Sequence, residues 1–463
     1  MIPPPVDSPK ANGWSAGPTT GGGMKRLREW WGRAFLVERP STSLGLFRIA
    51  VAITVGCHMI PTFLHLEDNY LATAFKEANG SFFPLWTLRL VAQSPNGVVC
   101  LFVGLFYYSW LSFLVGFKTR PSCLLMTASC YYFYALNSLH IGTLSFDILL
   151  VTLSLMWVTT YPGDWLSVDS LLRGDALAYT RLRPFFIQRL LQLQIAWTFW
   201  YTGLSKITAG GNWLTDNPYY YLMKYPPIGV VRQFPFREIL AQHPSWCHAI
   251  GLGVLGMELA LPALFFIRRT RAFALAYGIV FHVLLLVTLH VPTIFFFLFP
   301  PQLLLFIDPE HLVKWIDARR TAHASQPRPL LLYDGQCGFC VASIRRLAVL
   351  DVLGALELRD FHQVDELARL HPDLTPQQCH SRMQLIEPNG RLTDGFYAFR
   401  RMSWRVAGLR LALPFLYLPG AGWIGQRVYD AVAKRRFLFH RGPICATNQC
   451  AIVLPETDRS SKA

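Results

Sequence analysis

The stretch Leu330-Leu-Leu-Tyr-Asp-Gly-Gln-Cys-Gly-Phe-Cys-Val-Ala-Ser343 carries the reading of the C-terminal third of this chain. A short apolar strand runs into Cys337 and Cys340, spaced C-x-x-C, and helix-forming residues follow. This order predicts Cys337 at a helix N-terminus, where the dipole and unpaired backbone N–H groups stabilise a thiolate. A second thiol one turn away makes the pair competent for thiol–disulfide exchange. The same spacing fits half of a tetrahedral zinc site, completed by Cys445 and Cys450, or two structural thiols. Strand-to-helix placement favours the redox reading, and no metal is expected.

Outward from this motif the composition divides the chain. Residues 330–455 read as one small α/β domain, followed by a tail at 456–463. Its expected order is strand 330–334, helix 338–351, strand 355–360, helix 363–370 and strand 382–387. A turn at Pro388-Asn389-Gly390, a strand at 391–394 and helices near 395–405 and 422–435 complete it. A strand–helix–strand start followed by an Asn-Gly hairpin suggests a thioredoxin-like layout. The basic run Lys434-Arg435-Arg436 reads as a solvated face.

Upstream, the 463-residue chain is membrane-like: 52% of it is hydrophobic and only 15% charged. Soluble proteins carry roughly 25% charged residues. Eight apolar segments stand out, at about 44–64, 98–117, 122–136, 143–161, 186–205, 247–267, 272–291 and 293–307. A spanning helix needs about 20 apolar residues. The interrupted aromatic stretch Phe82–Val91 reads as an interfacial helix. The fold class is therefore a multipass α-helical membrane bundle of about eight helices plus a C-terminal α/β, thioredoxin-like domain. Residues 1–39 read as a disordered, basic cytoplasmic tail, 40–311 as the transmembrane domain and 312–329 as a linker.

The formal charge of +15 is spread along the chain, which argues against nucleic acid as a partner. Its distribution sets orientation instead. Lys25, Arg26, Arg28, Arg33 and Arg39, then Lys118 and Arg120, then Arg173, Arg181 and Arg183, then Arg268, Arg269 and Arg271, fall on alternate loops. By the positive-inside rule both termini are cytoplasmic. No signal peptide is visible, because the basic stretch before the first span lacks a small-residue cleavage site. The expected location is a bacterial cytoplasmic membrane. The expected partners are the lipid bilayer and a thiol or disulfide substrate or reductant. Cytosolic thiols are kept reduced, so a standing disulfide is not expected at Cys337 and Cys340.

Ionisable groups within or beside the spans are Arg48, His140, Asp147, Lys206, Glu258 and His282. Such groups are costly in lipid and face a bundle interior or a cavity. Arg48 reads as snorkelling from a span end. Asp147 and Glu258 read as polar contacts between helices. His282 sits in mid-span and needs a partner. Lys206 ends an aromatic, Gln-containing span, where an interface anchor is the plain reading and a desolvated base the sharper one.

Two resemblances extend this reading. Asp334-Gly-Gln-Cys337-Gly-Phe-Cys340, with Val428-Tyr-Asp-Ala-Val-Ala-Lys-Arg-Arg436, resembles the DCC family of predicted thiol-disulfide oxidoreductases over about residues 328–455. It implies a thioredoxin-like fold, Cys337 as attacking thiolate, Cys340 as resolving thiol and Asp334 managing the proton. Leu44-Gly-Leu-Phe-Arg48-Ile, the Tyr-Thr-Gly-Leu-Ser-Lys206 span end, the following Asn212-Trp-Leu and Phe281-His282 resemble the HTTM domain over about 40–310. That domain is similar to the membrane region of vitamin K-dependent gamma-carboxylase. The resemblance implies a quinone-like or lipid pocket, with Lys206 as a base and His140 at a quinone-site histidine. The leading expectation is a membrane-tethered thiol-disulfide oxidoreductase coupled to a quinone or lipid pocket. The alternatives are a carboxylase-like enzyme using Lys206 with His282 lining its pocket, and a non-enzymatic scaffold or transporter with a redox regulatory domain.

Overall fold

A computed structural model describes residues 28–29, 31–71, 91, 93–136, 144–159, 163–208, 212–226, 230–290 and 299–436. The basic tail before residue 28, the Phe82–Val91 helix up to residue 90, His140, Cys445 and Cys450 lie outside the described residues, as does the side chain of Asp147.

Among the described residues, four helices are long and apolar enough to cross a membrane: Thr42–Leu64, Asn96–Val115, Pro244–Phe266 and Arg271–Thr288. The expected count of about eight is not reached among the described residues. Leu144–Thr159 is short, with 16 residues, and Phe186–Thr208 carries Gln188, Arg189, Gln192, Gln194 and Lys206. The polar groups of that last helix are matched inside the protein. Gln188 and Gln192 donate to the Leu305 carbonyl, and Gln194 donates to the Ile148 carbonyl at 2.9 Å. In an apolar surrounding an unmet amide is expensive, so these bonds let a polar helix join the bundle.

The Thr42–Leu64 helix is the most interior of the four spans. Its Phe47, Val51, Val55 and Met59 pack into one core with Phe106, Phe113, Phe133, Phe265 and Phe306. Gly56 makes room for the Trp110 indole, which donates to the Ala52 carbonyl at 2.7 Å. Arg48 does not snorkel: it is fully buried and donates to the Leu166 carbonyl, under the loop that precedes the Val168–Arg173 helix.

Most of the expected linker is helical, as Pro309–Ala324. Asp308 caps it, accepting from the Glu310 N–H at 3.2 Å, and Pro309 occupies the first turn, where its missing N–H costs nothing. This helix rests on the bundle through buried Ile316 and a 2.8 Å hydrogen bond from the Tyr179 hydroxyl to Asp317.

Beyond it lies a four-stranded mixed sheet. Leu330–Tyr333 is central, with Glu357–Asp360 parallel on one side and Gln384–Ile386 antiparallel on the other; Leu392–Asp394 closes the antiparallel edge. The Asn389-Gly390 turn links the last two strands, with Gly390 at φ +79°. Leu331, Tyr333, Val341, Ile344, Leu347, Leu385, Ala398 and Met402 form the core against helices Gly338–Leu350 and Gly395–Met402. The helix expected at 363–370 is replaced by two short 3-10 turns, Phe361–Gln363 and Leu367–Arg369. Asp360 caps the first of these, and Pro372 follows closely, so no longer helix develops.

Candidate thiol–disulfide site

The central strand ends at Tyr333, and the next four residues bring the chain round to the helix Gly338–Leu350. Gly335 is required in that turn. A Cβ there would lie 2.0 Å from Asp360 Oδ2, and the Gly335 N–H donates to Asp360 Oδ1 at 3.0 Å. The turn is thus pinned to the end of the parallel neighbouring strand. Cys337 is the N-cap, and its sulfur accepts from the Cys340 N–H at 3.4 Å. Both cysteines are free thiols here.

Their surroundings differ. Cys337 is 3% exposed, whereas Cys340 is partly exposed and lines an apolar groove of about 480 Å³. Phe339, Met383, Phe396, Phe399 and Val428 form much of its wall. Burial pushes the Cys340 thiol well above the usual range, and its hydrogen bond with Cys337 reinforces this; the nearby guanidinium of Arg436 opposes it.

Asp334, 5% exposed, is the hub of the site. Its Oδ1 accepts from the Gln336 N–H at 3.1 Å and lies 3.1 Å from His362 Nε2. Its Oδ2 is 3.3 Å from Arg436 Nη2 and 3.8 Å from His380 Nδ1. Arg436 also reaches the His380 carbonyl, and its Nη1 lies 3.9 Å from the Cys340 sulfur. Arg436 is therefore buried rather than part of a solvated face, because it compensates a carboxylate that would otherwise be stranded at the sheet end. One guanidinium thus bridges the carboxylate and a sulfur.

The ligand atoms of Asp334, His362 and His380 lie within 4.8 Å of one another, a spacing that could hold a metal ion. Arg436 already supplies positive charge to the same carboxylate, so the donor set is electrostatically matched without a cation.

Neither histidine nor Arg436 was expected at this site. They stand 28, 46 and 102 residues from Asp334. His362 had one sequence signal: it follows a strand that pairs in parallel with the motif strand, so both chain ends emerge on one sheet edge. Cys379 is buried and also borders the groove, with its thiol pushed up by burial.

The membrane candidates assemble differently. Lys206 forms an ion pair with Glu258, Nζ lying 2.9 and 2.7 Å from the two carboxylate oxygens. Gly203, one turn earlier, allows this: a Cβ there would meet Leu259 at 2.9 Å and Glu258 Cβ at 3.4 Å. His282 is buried, its Nδ1 2.7 Å from the carbonyl of Gly278 on its own helix, with the Phe199, Phe281 and Phe299 rings around it. Its partner is thus in part its own backbone.

A strand–turn–helix bearing two thiols, joined to an apolar helical bundle, defines a membrane-associated thiol protein. The chain belongs to the HTTM family: the HTTM domain model matches residues 38–311. In the same chain, the model of the DCC1-like thiol-disulfide oxidoreductase matches residues 331–441. No curated protein and no solved structure matches the chain. The fusion of the two domains is as expected, and together they support a membrane-associated redox role.

Proposed function

We propose that this protein is a membrane-tethered thiol–disulfide oxidoreductase whose chemistry resides in the Cys337–Cys340 pair. The observation that carries the reading is a single arrangement: an N-cap thiol, a second thiol one turn later on the wall of an apolar groove, and a buried carboxylate beside them held by Arg436 and His362. The strand order, parallel then antiparallel twice, supports a thioredoxin-like fold for this domain.

The order of attack differs from that implied by the family resemblance. Cys340, not Cys337, borders the groove, so we assign the mixed disulfide to Cys340. Cys340 gives up its proton and, as the thiolate, attacks one sulfur of the partner's disulfide. The partner's other sulfur leaves as a thiolate and takes up a proton. Cys337 then gives up its proton, with Asp334 of the same turn as the acceptor, and attacks Cys340. The Cys337–Cys340 disulfide forms, and the second partner thiol is released. Two electrons and two protons pass from the pair to the partner.

Orientation follows the Lys and Arg bias, which puts the thiol domain on the cytoplasmic side. Coupling to a quinone would rest on Lys206 and His282. Lys206 is committed to Glu258, and His282 Nδ1 to a backbone carbonyl, so the reading keeps the chemistry in the thiol domain.

Trapping tests this. With the full chain and a disulfide peptide, Cys337→Ser should accumulate a mixed disulfide on Cys340, while Cys340→Ser should not. Trapping on Cys337 in Cys340→Ser would reverse the assigned order. Absence of any trap in both variants would remove the exchange function.

A further inference from the structure

A second cavity, of about 390 Å³, lies where helix Phe186–Thr208 begins and spans Pro244–Phe266 and Arg271–Thr288 meet. Five cations line it: Arg39, Arg189, Arg268, Arg271 and Lys314. Only Asp308 and Glu310 oppose them there.

The opposing pairs are loose. Arg39 lies 3.8 Å from Asp308 and 4.0 Å from Glu310, and its Nε is buried without a hydrogen-bond acceptor. The guanidinium groups of Arg39 and Arg189 both stack on the Phe185 ring, 4.7 and 4.9 Å from its centre. Like charges are therefore gathered around one ring and held in place, by Gln192 for Arg189 at 2.8 Å and by the Phe265 carbonyl for Arg271 at 2.9 Å. Planar, fixed guanidiniums with spare donors match the oxygens of a phosphate. The cavity opens where one span ends at Phe266 and the next begins at Arg271, the level of lipid headgroups.

We infer that this cavity binds the phosphate of an anionic lipid headgroup. Five cations against two carboxylates favour a ligand with net negative charge over a zwitterionic lipid. The site is separate from the thiol pair, so it stands or falls independently of the exchange chemistry.

The test is retention of lipid by the detergent-solubilised full chain in native mass spectrometry. Phosphatidylglycerol, phosphatidylcholine and inorganic phosphate are the probes. The wild type should retain phosphatidylglycerol preferentially. The double variant Arg268→Gln/Arg271→Gln should weaken it about 25-fold, at roughly fivefold per charge removed. Glu310→Gln, at an exposed position that should not disturb folding, should tighten retention about fivefold and decides the matter if the double variant misfolds. Equal retention of both lipids, unchanged in the variants, would overturn the site. Binding of inorganic phosphate alone, lost in the double variant, would assign the cavity to a soluble anion and overturn the lipid.

Discussion

The ion pairs Lys206–Glu258 in the bundle and Arg436–Asp334 in the thiol domain each set a cation against a buried carboxylate but stand in different company. The first joins two helices that Gly203 lets approach closely. The second has two imidazoles and a sulfur within reach of the same charges and sits beside an apolar groove. A buried charge pair on its own describes how two elements are held together. It becomes a candidate site when a reactive atom and an open cavity share it.

The sharpest way to break this comparison is to remove chemistry from each side. Cys340→Ser should lower disulfide exchange by roughly a thousandfold or more, since it removes the sulfur that carries the mixed disulfide, and Cys379, the other thiol bordering the groove, is buried. Lys206→Met should leave exchange within about twofold, measured with the full chain and a peptide disulfide. Loss of exchange in Lys206→Met would return the membrane residues to the reaction.

The pH dependence sharpens the inner half of the comparison. Burial holds the Cys340 thiol up, so its thiolate fraction is small at neutral pH and grows as pH rises. The exchange rate should therefore climb by up to about tenfold per pH unit from neutral to alkaline, without a plateau near neutrality. A plateau already present at neutral pH would mean that another thiolate, at the helix N-cap, makes the attack.

Stability effects are smaller and test the pairs as structure. Arg436→Met strands a buried carboxylate and should cost about 3–5 kcal/mol, read as lost resistance of the thiol domain to denaturant. Lys206→Met should cost somewhat less, about 2–3 kcal/mol, because its ammonium is partly exposed; Lys206→Met/Glu258→Leu should recover most of that. Gly203→Ala should cost about 1 kcal/mol by pushing Leu259 aside. A Gly203→Ala variant as stable as wild type would show that the two helices are not held at that contact.

Much of the thiol domain was legible because its signals are local. An apolar run into C-x-x-C, an Asn-Gly turn and the amphipathic run ending at Arg435 each report their own element. Asp334 was named through the family resemblance rather than through a local signal of its own. His362, His380 and Arg436 were not: tertiary folding brings them to Asp334, and in sequence Arg436 looks like one more residue of a solvated basic run. In the bundle, the apolar segment at 186–205 was read as a span from hydropathy, but its glutamines meet carbonyls that only the folded bundle supplies, and no sequence signal reports those. Lys206 and Glu258 could each be flagged as ionisable groups near lipid, yet their pairing depends on an approach set by a glycine.

The most direct test of the account is a redox titration of the reconstituted full chain, with differential alkylation read at Cys337 and Cys340 by peptide mapping. The account predicts one reversible two-electron transition in which both sulfurs are lost and regained together. Two thiols that alkylate independently at every potential, or that are protected by bound zinc, would contradict it.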